Sequence, residues 1–237
     1  MQTISNESGT FNIGKKCFHY KKCDPGVELV AGKVQDMFGV KHIQYSPIQL
    51  YETDYCICDE KDYSSVESPN FFDCNNFNCA CDYLSVSYPD DSSKLIEQFT
   101  KMYFIDLLLL NVGRQEKTWG IVHGFGEKDI CVVGNDLAFV HPTSVMTSCE
   151  NPERSSLVEV ENIINHFPKS DIDLFYRMFD ALTYDKLKQL MEEVEKEHDL
   201  TIDNKLTYLE RFDAFRDQIM DAMKRKKENN KKQKKES

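Results

Sequence analysis

One long apolar segment near the middle of the chain most constrains its fold. Leu95 to Leu110 carries leucine, isoleucine, phenylalanine and methionine at positions that leave few exposed sites around a helix. Ser92 or Ser93 can cap the start of this helix. A helix that is apolar on most sides must be surrounded by other elements, so the segment predicts the centre of a helical lobe.

The residues before this helix follow mainly strand-like patterns. Turn residues and alternating apolar positions predict a hairpin over Phe11–Tyr20 and two paired strands over Val40–Leu50 and Asp54–Cys58. Helical spacing of apolar residues predicts a helix over Val27–Phe38. The polar stretch from Asp59 to Ser92 has almost no periodicity, which predicts a long loop between two lobes.

The residues after the central helix form one more hairpin and are then helical. Thr118–Val122 and Ile130–Val133 flank His123–Asp129, whose two glycines suit a hairpin turn rather than a phosphate-binding loop. Apolar periodicity predicts four further helices, over Leu157–Phe167, Asp171–Leu182, Asp185–His198 and Ile202–Met223. Strands and helices together predict the α+β class.

The charge of the chain is unevenly distributed. From Lys224 to Ser237 there are eight Lys or Arg residues against two Glu, which leaves the preceding body with 21 basic and 38 acidic residues. An acidic body repels phosphate backbones, so we expect no nucleic-acid binding by the body. We expect residues 223–237 to form a disordered, solvated tail, although this tail alone could contact anionic surfaces.

The length of the apolar runs and the number of cysteines indicate in which cellular compartment the protein is expected. The longest apolar run, Leu107 to Leu110, is far shorter than the roughly 20 residues of a membrane span, and no leader pattern opens the chain. An odd count of nine cysteines fits reduced thiols, so we expect a cytoplasmic protein. Zinc binding and simple burial are both open for one group of five thiols, Cys56, Cys58, Cys74, Cys79 and Cys81.

Two short motifs carry the functional signal. Asn-Val-Gly-Arg-Gln-Glu-Lys-Thr-Trp-Gly, residues 111–120, directly follows the central helix, and Val-Gly-Asn-Asp-Leu-Ala-Phe, residues 133–139, follows the predicted hairpin. In this order the chain resembles the HipA-like kinases, including the CtkA-type proteins. The resemblance is close over Phe99–Phe139 and loose over most of the remaining chain.

The resemblance implies a protein-kinase-like fold of two lobes. It places a reduced N-terminal β-rich lobe at residues 1–60, a mainly helical lobe at residues 61–222, and the basic tail at residues 223–237. The glycine-rich loop that covers phosphates in kinases has almost no room before Phe11, which is why the first lobe is expected to be reduced.

The family's catalytic loop reads Asn-x-Asp-Arg-His-x-x-Asn-x-Gly, and this chain keeps only part of it. Asn111, Arg114 and Gly120 are retained. Gly113 stands at the catalytic Asp, Gln115 at the His and Thr118 at the metal-binding Asn. In the second motif Gly134 stands at the metal-binding Asp, and Asp136 is the only carboxylate.

These substitutions affect the groups that phosphoryl transfer requires. Magnesium bridges the β- and γ-phosphates and is held by an Asp and an Asn, while a second Asp orients the attacking hydroxyl. Gly and Thr cannot supply those charges. Asp136 could approach a metal after a one-residue shift of the loop, and Glu116 or Asp129 could replace the missing base, so the resemblance leaves residual activity open.

Two residues upstream match the family's nucleotide anchor. The strand Cys17–Lys21 is similar to the family strand that ends in the nucleotide-binding Lys, and Glu28 lies where the paired helix Glu would be. A surface Lys and a helix N-terminal Glu favoured by the dipole would explain both residues without a nucleotide. Asp106 resembles a carboxylate that holds the catalytic-loop backbone.

The sequence therefore leaves three functions to separate. The first is an inactive HipA-like kinase-fold module that binds or regulates a partner, which would be a protein such as an active kinase or a toxin–antitoxin component, or a nucleotide. The second is an active ATP- and magnesium-dependent serine/threonine kinase that works with substituted residues. The third is a helical interaction protein that binds no nucleotide.

Overall fold

The first part of the chain forms a four-stranded antiparallel sheet. The computed structural model describes residues 8–50, 52–69, 77–111, 118–124, 126–135, 138–139 and 172–236. The first sheet contains β1 (Ser8–Ile13), β2 (Lys16–Lys22), β4 (Ser46–Leu50) and β5 (Thr53–Asp59), in the order β1-β2-β5-β4. Gly14 turns the first hairpin at φ 62°, where glycine avoids the strain of a side chain. The predicted hairpin is confirmed, and the second strand pair is confirmed only over Ser46–Leu50 of the predicted strand Val40–Leu50.

Helix α1 (Pro25–Met37) connects this sheet to the rest of the fold. The Asp24 side chain accepts a hydrogen bond from the Val27 backbone amide at 3.2 Å, and Pro25 occupies the first turn, where it loses no helical bond. Val30 and Val34 are completely buried on its inner face. The predicted helix is confirmed, and it begins two residues earlier than expected.

The second sheet gathers strands from three parts of the chain. Its order is β3-β8-β7-β6, where β7 (Trp119–Gly124) and β8 (Glu127–Val132) form the predicted hairpin. β6 (Val66–Glu67) pairs antiparallel with β7, and β3 (Lys41–His42) pairs parallel with β8. The segment predicted as the first lobe therefore also contributes a strand beside the hairpin. The division at residue 60 remains a prediction.

The predicted loop from Asp59 to Ser92 is wrong for much of its length. It contains α2 (Glu60–Ser64), β6 and α3 (Phe77–Ser87). Phe77, Ala80 and Leu84 share one face of α3 and are buried in the main core. Three apolar contacts at helical spacing were hidden among Asn, Ser and Cys, residues that favour turns in isolation.

The core surrounds the predicted central helix, α4 (Ser92–Leu108). Met102, Phe104 and Leu107 are completely buried within it. Among the residues that the structure describes after β8, three helices follow: α5 (Ile172–Ala181), α6 (Tyr184–His198) and α7 (Lys205–Glu236). The helix predicted over residues 157–167 lies outside the described residues. Among the helices that the structure describes, none is long and apolar enough to cross a membrane. The α+β class is confirmed.

The described part of the basic tail is helical, as a solvated helix end would be, and the expectation of a disordered tail stays a prediction. α7 continues to Glu236. Lys226 is buried, and Lys227 places its ammonium 4.7 Å from the centre of the Tyr176 ring and 3.8 Å from Asp173. Lys, Arg and Gln are good helix formers, so contacts at its start are enough to extend the helix beyond the core.

We predict that Gly120→Ala lowers the free energy of unfolding by about 1–3 kcal/mol. A Cβ at this position in β7 would lie 2.5 Å from the Glu67 carbonyl oxygen, so β6 would have to move. Gly124→Ala is the matched control on the same strand, because nothing lies within 4 Å of its Cβ. Urea denaturation of both variants measures the difference, and equal stabilities would contradict this account of the contact.

Candidate functional site

A buried ion pair lies where the first sheet meets α1. Lys21 is the penultimate residue of β2, and Glu28 lies in the first turn of α1, so the short capped turn at Asp24 brings the two side chains together. The Lys21 ammonium lies 2.7 Å from Glu28 Oε2, and both residues are less than 9 % exposed. The structure thus brings together the two residues that the sequence proposed as a nucleotide anchor.

Glu28 is also bound to the loop that follows β8. The Asn135 backbone amide donates to Glu28 Oε2 at 2.8 Å, and Asn135 Nδ2 donates to Glu28 Oε1 at 3.0 Å. Gln35 Nε2 in turn donates to Asn135 Oδ1 at 2.8 Å. We call Lys21, Glu28, Gln35 and Asn135 the Glu28 network. It joins the first sheet, α1 and the loop after β8 through buried polar contacts.

Tyr45 covers the lysine of this network. Its ring centre is 4.6 Å from the Lys21 ammonium, a distance suited to a cation–π contact. Its hydroxyl donates to the Val133 carbonyl at 2.8 Å. Burial raises the pKa of Tyr45 well above its usual value, so this hydroxyl keeps its proton. Tyr45 therefore links the lysine to the residue that precedes Gly134.

His19 and Tyr63 form a stacked pair beside the network. Their ring centres are 3.5 Å apart and their planes differ by 10°. Burial, and then the charge of Lys21, lowers the pKa of His19 to about 4. Glu60 lies 3.8 Å from His19 Nδ1, but this carboxylate does not offset the burial. His19 is therefore a neutral ring at pH 7.

The start of the predicted catalytic loop is tied to the central helix. Asn111 Nδ2 donates to Asp106 Oδ1 at 2.9 Å, and the Asn111 backbone amide donates to the Asp106 carbonyl at 2.8 Å. Both residues are buried. These bonds are those expected of a carboxylate that holds the loop. Three predicted site residues, Gly113, Arg114 and Asp136, lie outside the described residues, as does Gln115.

The two altered metal positions lie next to each other. The Thr118 carbonyl accepts hydrogen bonds from the Val133 amide at 2.9 Å and from the Gly134 amide at 3.3 Å. Magnesium prefers carboxylate and other oxygen ligands. At this point the described residues offer one neutral hydroxyl and a glycine, while the Asn135 amide is engaged by Glu28 and Gln35. These residues do not fit a magnesium–nucleotide complex.

Asp129, which the sequence offered as a replacement base, is held by three donors. It is buried on β8 and accepts hydrogen bonds from Lys41, from Lys94 at 2.8 Å and from Gln98 at 2.9 Å. Burial alone would raise its pKa, but these donors outweigh it and hold the pKa of Asp129 below its usual value. A carboxylate in that environment is a structural ion-pair acceptor.

The structure separates the thiols considered as zinc ligands. Cys56 and Cys58 are buried in β5 beside Cys131, whereas Cys79 and Cys81 lie on α3. Cys74 lies outside the described residues. In the part of the chain that the structure describes, no three His, Cys, Asp or Glu side chains gather in a way that could hold a metal ion.

A groove of about 1080 Å³ opens away from this site, at the start of α1. Its lining includes five carboxylates and one lysine, Asp24, Glu52, Asp54, Asp199, Asp203 and Lys22. Lys21 and Glu28 are not among its lining residues. An acidic groove repels phosphate, so it is no alternative nucleotide site.

Taken with the sheet and helix order, the site defines a class of protein. A strand-rich lobe with a Lys–Glu pair, followed by a central helix, a loop, a hairpin and a second loop, is the arrangement of the protein-kinase fold. No protein-family model matches the sequence, and no curated protein sequence matches it.

Similar solved structures show that this kinase fold is HipA-like. The chain is similar to the crystal structure of the Helicobacter pylori proinflammatory kinase CtkA, with a TM-score of 0.62 and 12 % identity over 94 % of this chain and 92 % of that one. It is also similar to HipA of Shewanella oneidensis MR-1, solved with HipB and operator DNA, with a TM-score of 0.51 and 10 % identity. That match covers 94 % of this chain and 65 % of HipA. The HipA-like kinase fold inferred from the two motifs is confirmed.

Sequence reasoning assigned no role to four residues of the site, Gln35, Tyr45, Tyr63 and Asn135. It included His19 only as part of the strand Cys17–Lys21. Its position two residues before Lys21 could have indicated that both side chains share one face of a strand.

We predict that Glu28→Gln lowers the free energy of unfolding by about 3 kcal/mol, because it leaves the Lys21 ammonium buried without a countercharge. The control is Glu97→Gln, which removes an exposed pair with Lys101 on α4 and should cost less than about 0.5 kcal/mol. Chemical denaturation at pH 7 measures both. Similar small losses would mean that the buried pair does not hold α1 in place.

We predict that His19 makes the protein less stable in acid. Its pKa is about 6.5 in the unfolded chain and about 4 when folded. Between these two pH values the unfolded state binds more protons than the folded state. The contribution of His19 to the free energy of unfolding is therefore fully present above pH 6.5 and decreases as the pH drops. The contribution lost from pH 7 to pH 5 is about 2 kcal/mol.

Denaturation at pH 7 and pH 5 tests this. His19→Phe keeps a ring against Tyr63 but cannot be protonated, so its free energy of unfolding should lose about 2 kcal/mol less between pH 7 and pH 5 than that of the wild type. His123→Phe, at a half-exposed position, should show the same decrease as the wild type. An unchanged pH dependence in His19→Phe would show that other groups cause it.

Proposed function

We propose that this chain is a HipA-like kinase-fold module that has lost phosphotransfer and acts by binding a protein partner. One observation carries the proposal. In the loop after β8, Gly134 stands at the position that the resemblance assigns to the metal-binding Asp. The next residue, Asn135, uses both its backbone amide and its side chain to bind Glu28. No described side chain at this point can hold magnesium through a carboxylate. We call the region around Lys21, Glu28 and Gly134 the cleft.

Electrostatics explains why this loss is severe. Charge on the transferred phosphoryl group is stabilised chiefly by the metal ions and fixed protein charges, with little covalent help from the protein. Gly113 and Gly134 replace the two carboxylates that the family uses for the nucleophile and the metal. The proposal therefore predicts a loss of many orders of magnitude in rate, rather than a slower kinase.

The Glu28 network supports a binding role. It holds α1 against both the first sheet and the loop after β8 through side chains of the chain itself, which favours a preformed surface where these elements meet. A preformed surface binds a partner at a lower entropic cost than one that must be ordered first. The HipA structure similar to this chain contains HipB, which supports a protein partner, including a toxin–antitoxin component.

The same HipA structure contains operator DNA, but the charge of this chain argues against that role for the body. Its 38 acidic and 21 basic residues before Lys224 would repel a phosphate backbone. A reducing compartment such as the cytoplasm suits its nine cysteines. We therefore place the partner among cytoplasmic proteins.

One observation favours a second candidate, an active ATP-dependent serine/threonine kinase. The Lys21–Glu28 ion pair, which active kinases need to hold the phosphates, is intact at 2.7 Å. The same pair also stabilises the fold without a nucleotide, so its presence does not distinguish the two functions. A measurement of ATP turnover distinguishes them.

We predict that the protein shows no magnesium-dependent turnover of ATP. The measurement is release or transfer of labelled γ-phosphate with millimolar ATP and magnesium, with and without a general protein substrate. Lys21→Met is the control, because it removes the only phosphate-binding charge proposed for the cleft. The wild type should equal both this variant and the background without protein. Turnover that Lys21→Met abolishes would establish the active kinase instead.

A further inference from the structure

The face of β2 that carries Lys21 also carries His19. Side chains two residues apart on a strand point to the same face and lie about 7 Å from each other. In the kinase fold the lysine of this strand binds phosphates, so the rest of a nucleotide must extend over the same face. The next side chain on that face is His19, and the space over its ring is where a flat base would have to lie.

That space is filled by Tyr63. Two rings whose centres are 3.5 Å apart are in van der Waals contact, so no third ring fits between them. His19 is only 7 % exposed with Tyr63 in place. The chain therefore supplies its own aromatic ring at the position where a base would stack.

The position of Tyr63 follows from the sheet rather than from a mobile side chain. Asp59 ends β5, where it pairs with Phe18 of β2. The Asp59 side chain accepts a hydrogen bond from the Lys61 amide at 2.9 Å and so starts α2. Tyr63 lies one turn further on. The strand register and the helix cap together direct its ring onto His19.

The walls of the space are apolar and thiol-lined. Cys58 lies directly opposite His19 in the β2–β5 ladder and is buried. Tyr63 packs against a small cluster that contains Cys58 together with Ile43, Tyr45, Cys56 and Cys131. An apolar space left by removing a ring can take up a flat aromatic molecule, as engineered cavities do.

We propose that Tyr63 occupies a base-sized slot in the cleft and substitutes internally for a purine, so that the chain excludes nucleosides by filling its own site. The inference deepens the proposed function, because it concerns the same cleft. It does not depend on the missing carboxylates, however, since a base can bind without metal or phosphate.

The test uses adenosine, which carries the base without phosphate and needs no magnesium. Calorimetric titration should detect no binding to the wild type or to Tyr63→Phe, which keeps the stack. Tyr63→Ala opens the slot and should bind adenosine at least tenfold more tightly than Tyr63→Phe. Wild-type binding as tight as that of Tyr63→Ala would overturn the proposal, and so would the absence of binding to folded Tyr63→Ala.

A second measurement tests, without a ligand, whether the Tyr63 ring closes the slot. Removing the Tyr63 ring should expose Cys58, so its modification by iodoacetamide, located by mass spectrometry, should be at least tenfold faster in Tyr63→Ala than in Tyr63→Phe. Cys131, in the same cluster but on β8, is the internal control and should change less. Equal rates at Cys58 in the two variants would show that the ring does not close the slot.

The two proposals fail separately. ATP turnover by the wild type would reject the inactive module, whereas the adenosine and thiol results concern only Tyr63 and the base slot. A wild type that binds adenosine but transfers no phosphate would leave the proposed function standing and overturn the filled slot.

Discussion

The buried carboxylate of Glu28 is the contact on which the arrangement of the cleft depends. It accepts hydrogen bonds from Lys21 on β2 and from both the backbone and the side chain of Asn135 after β8. An ionised carboxylate can be buried at this depth only if its oxygens are bound by donors, and here a cation and two amides supply them. Three elements far apart in the chain are thereby held at one point.

This contact also shows how the elements of a kinase fold are held together here by groups of the chain itself. In an active kinase the lysine–glutamate pair and the metal loop are kept in place partly for the nucleotide. Here Asn135 binds Glu28 directly, and Tyr45 joins Lys21 to Val133. The polar groups of Lys21 and Glu28 are therefore bound by other residues of the same chain. The stack of Tyr63 on His19 is a further contact that the chain makes with itself beside this network.

Local patterns predicted elements well where burial follows a simple period. The central helix α4 and the β7–β8 hairpin were predicted because their apolar residues repeat at helical or strand spacing. Helix α3 was missed because only three buried residues mark it among polar ones. The charges at the basic end of α7 indicate solvation, but they do not reveal that Lys226 is buried and that Lys227 contacts α5.

By itself, the sequence determined the class of the fold, many of its elements, and which residue types stand at the positions that the resemblance assigns to catalysis. Gly113, Thr118 and Gly134 lack carboxylates whatever the fold, because charge belongs to residue identity. Only the tertiary structure decided which groups meet there. Glu28 and Asn135 are 107 residues apart, and Tyr63 reaches His19 through the register of β2 and β5. Such pairings depend on how strands align and helices pack, and no local period in the chain encodes them.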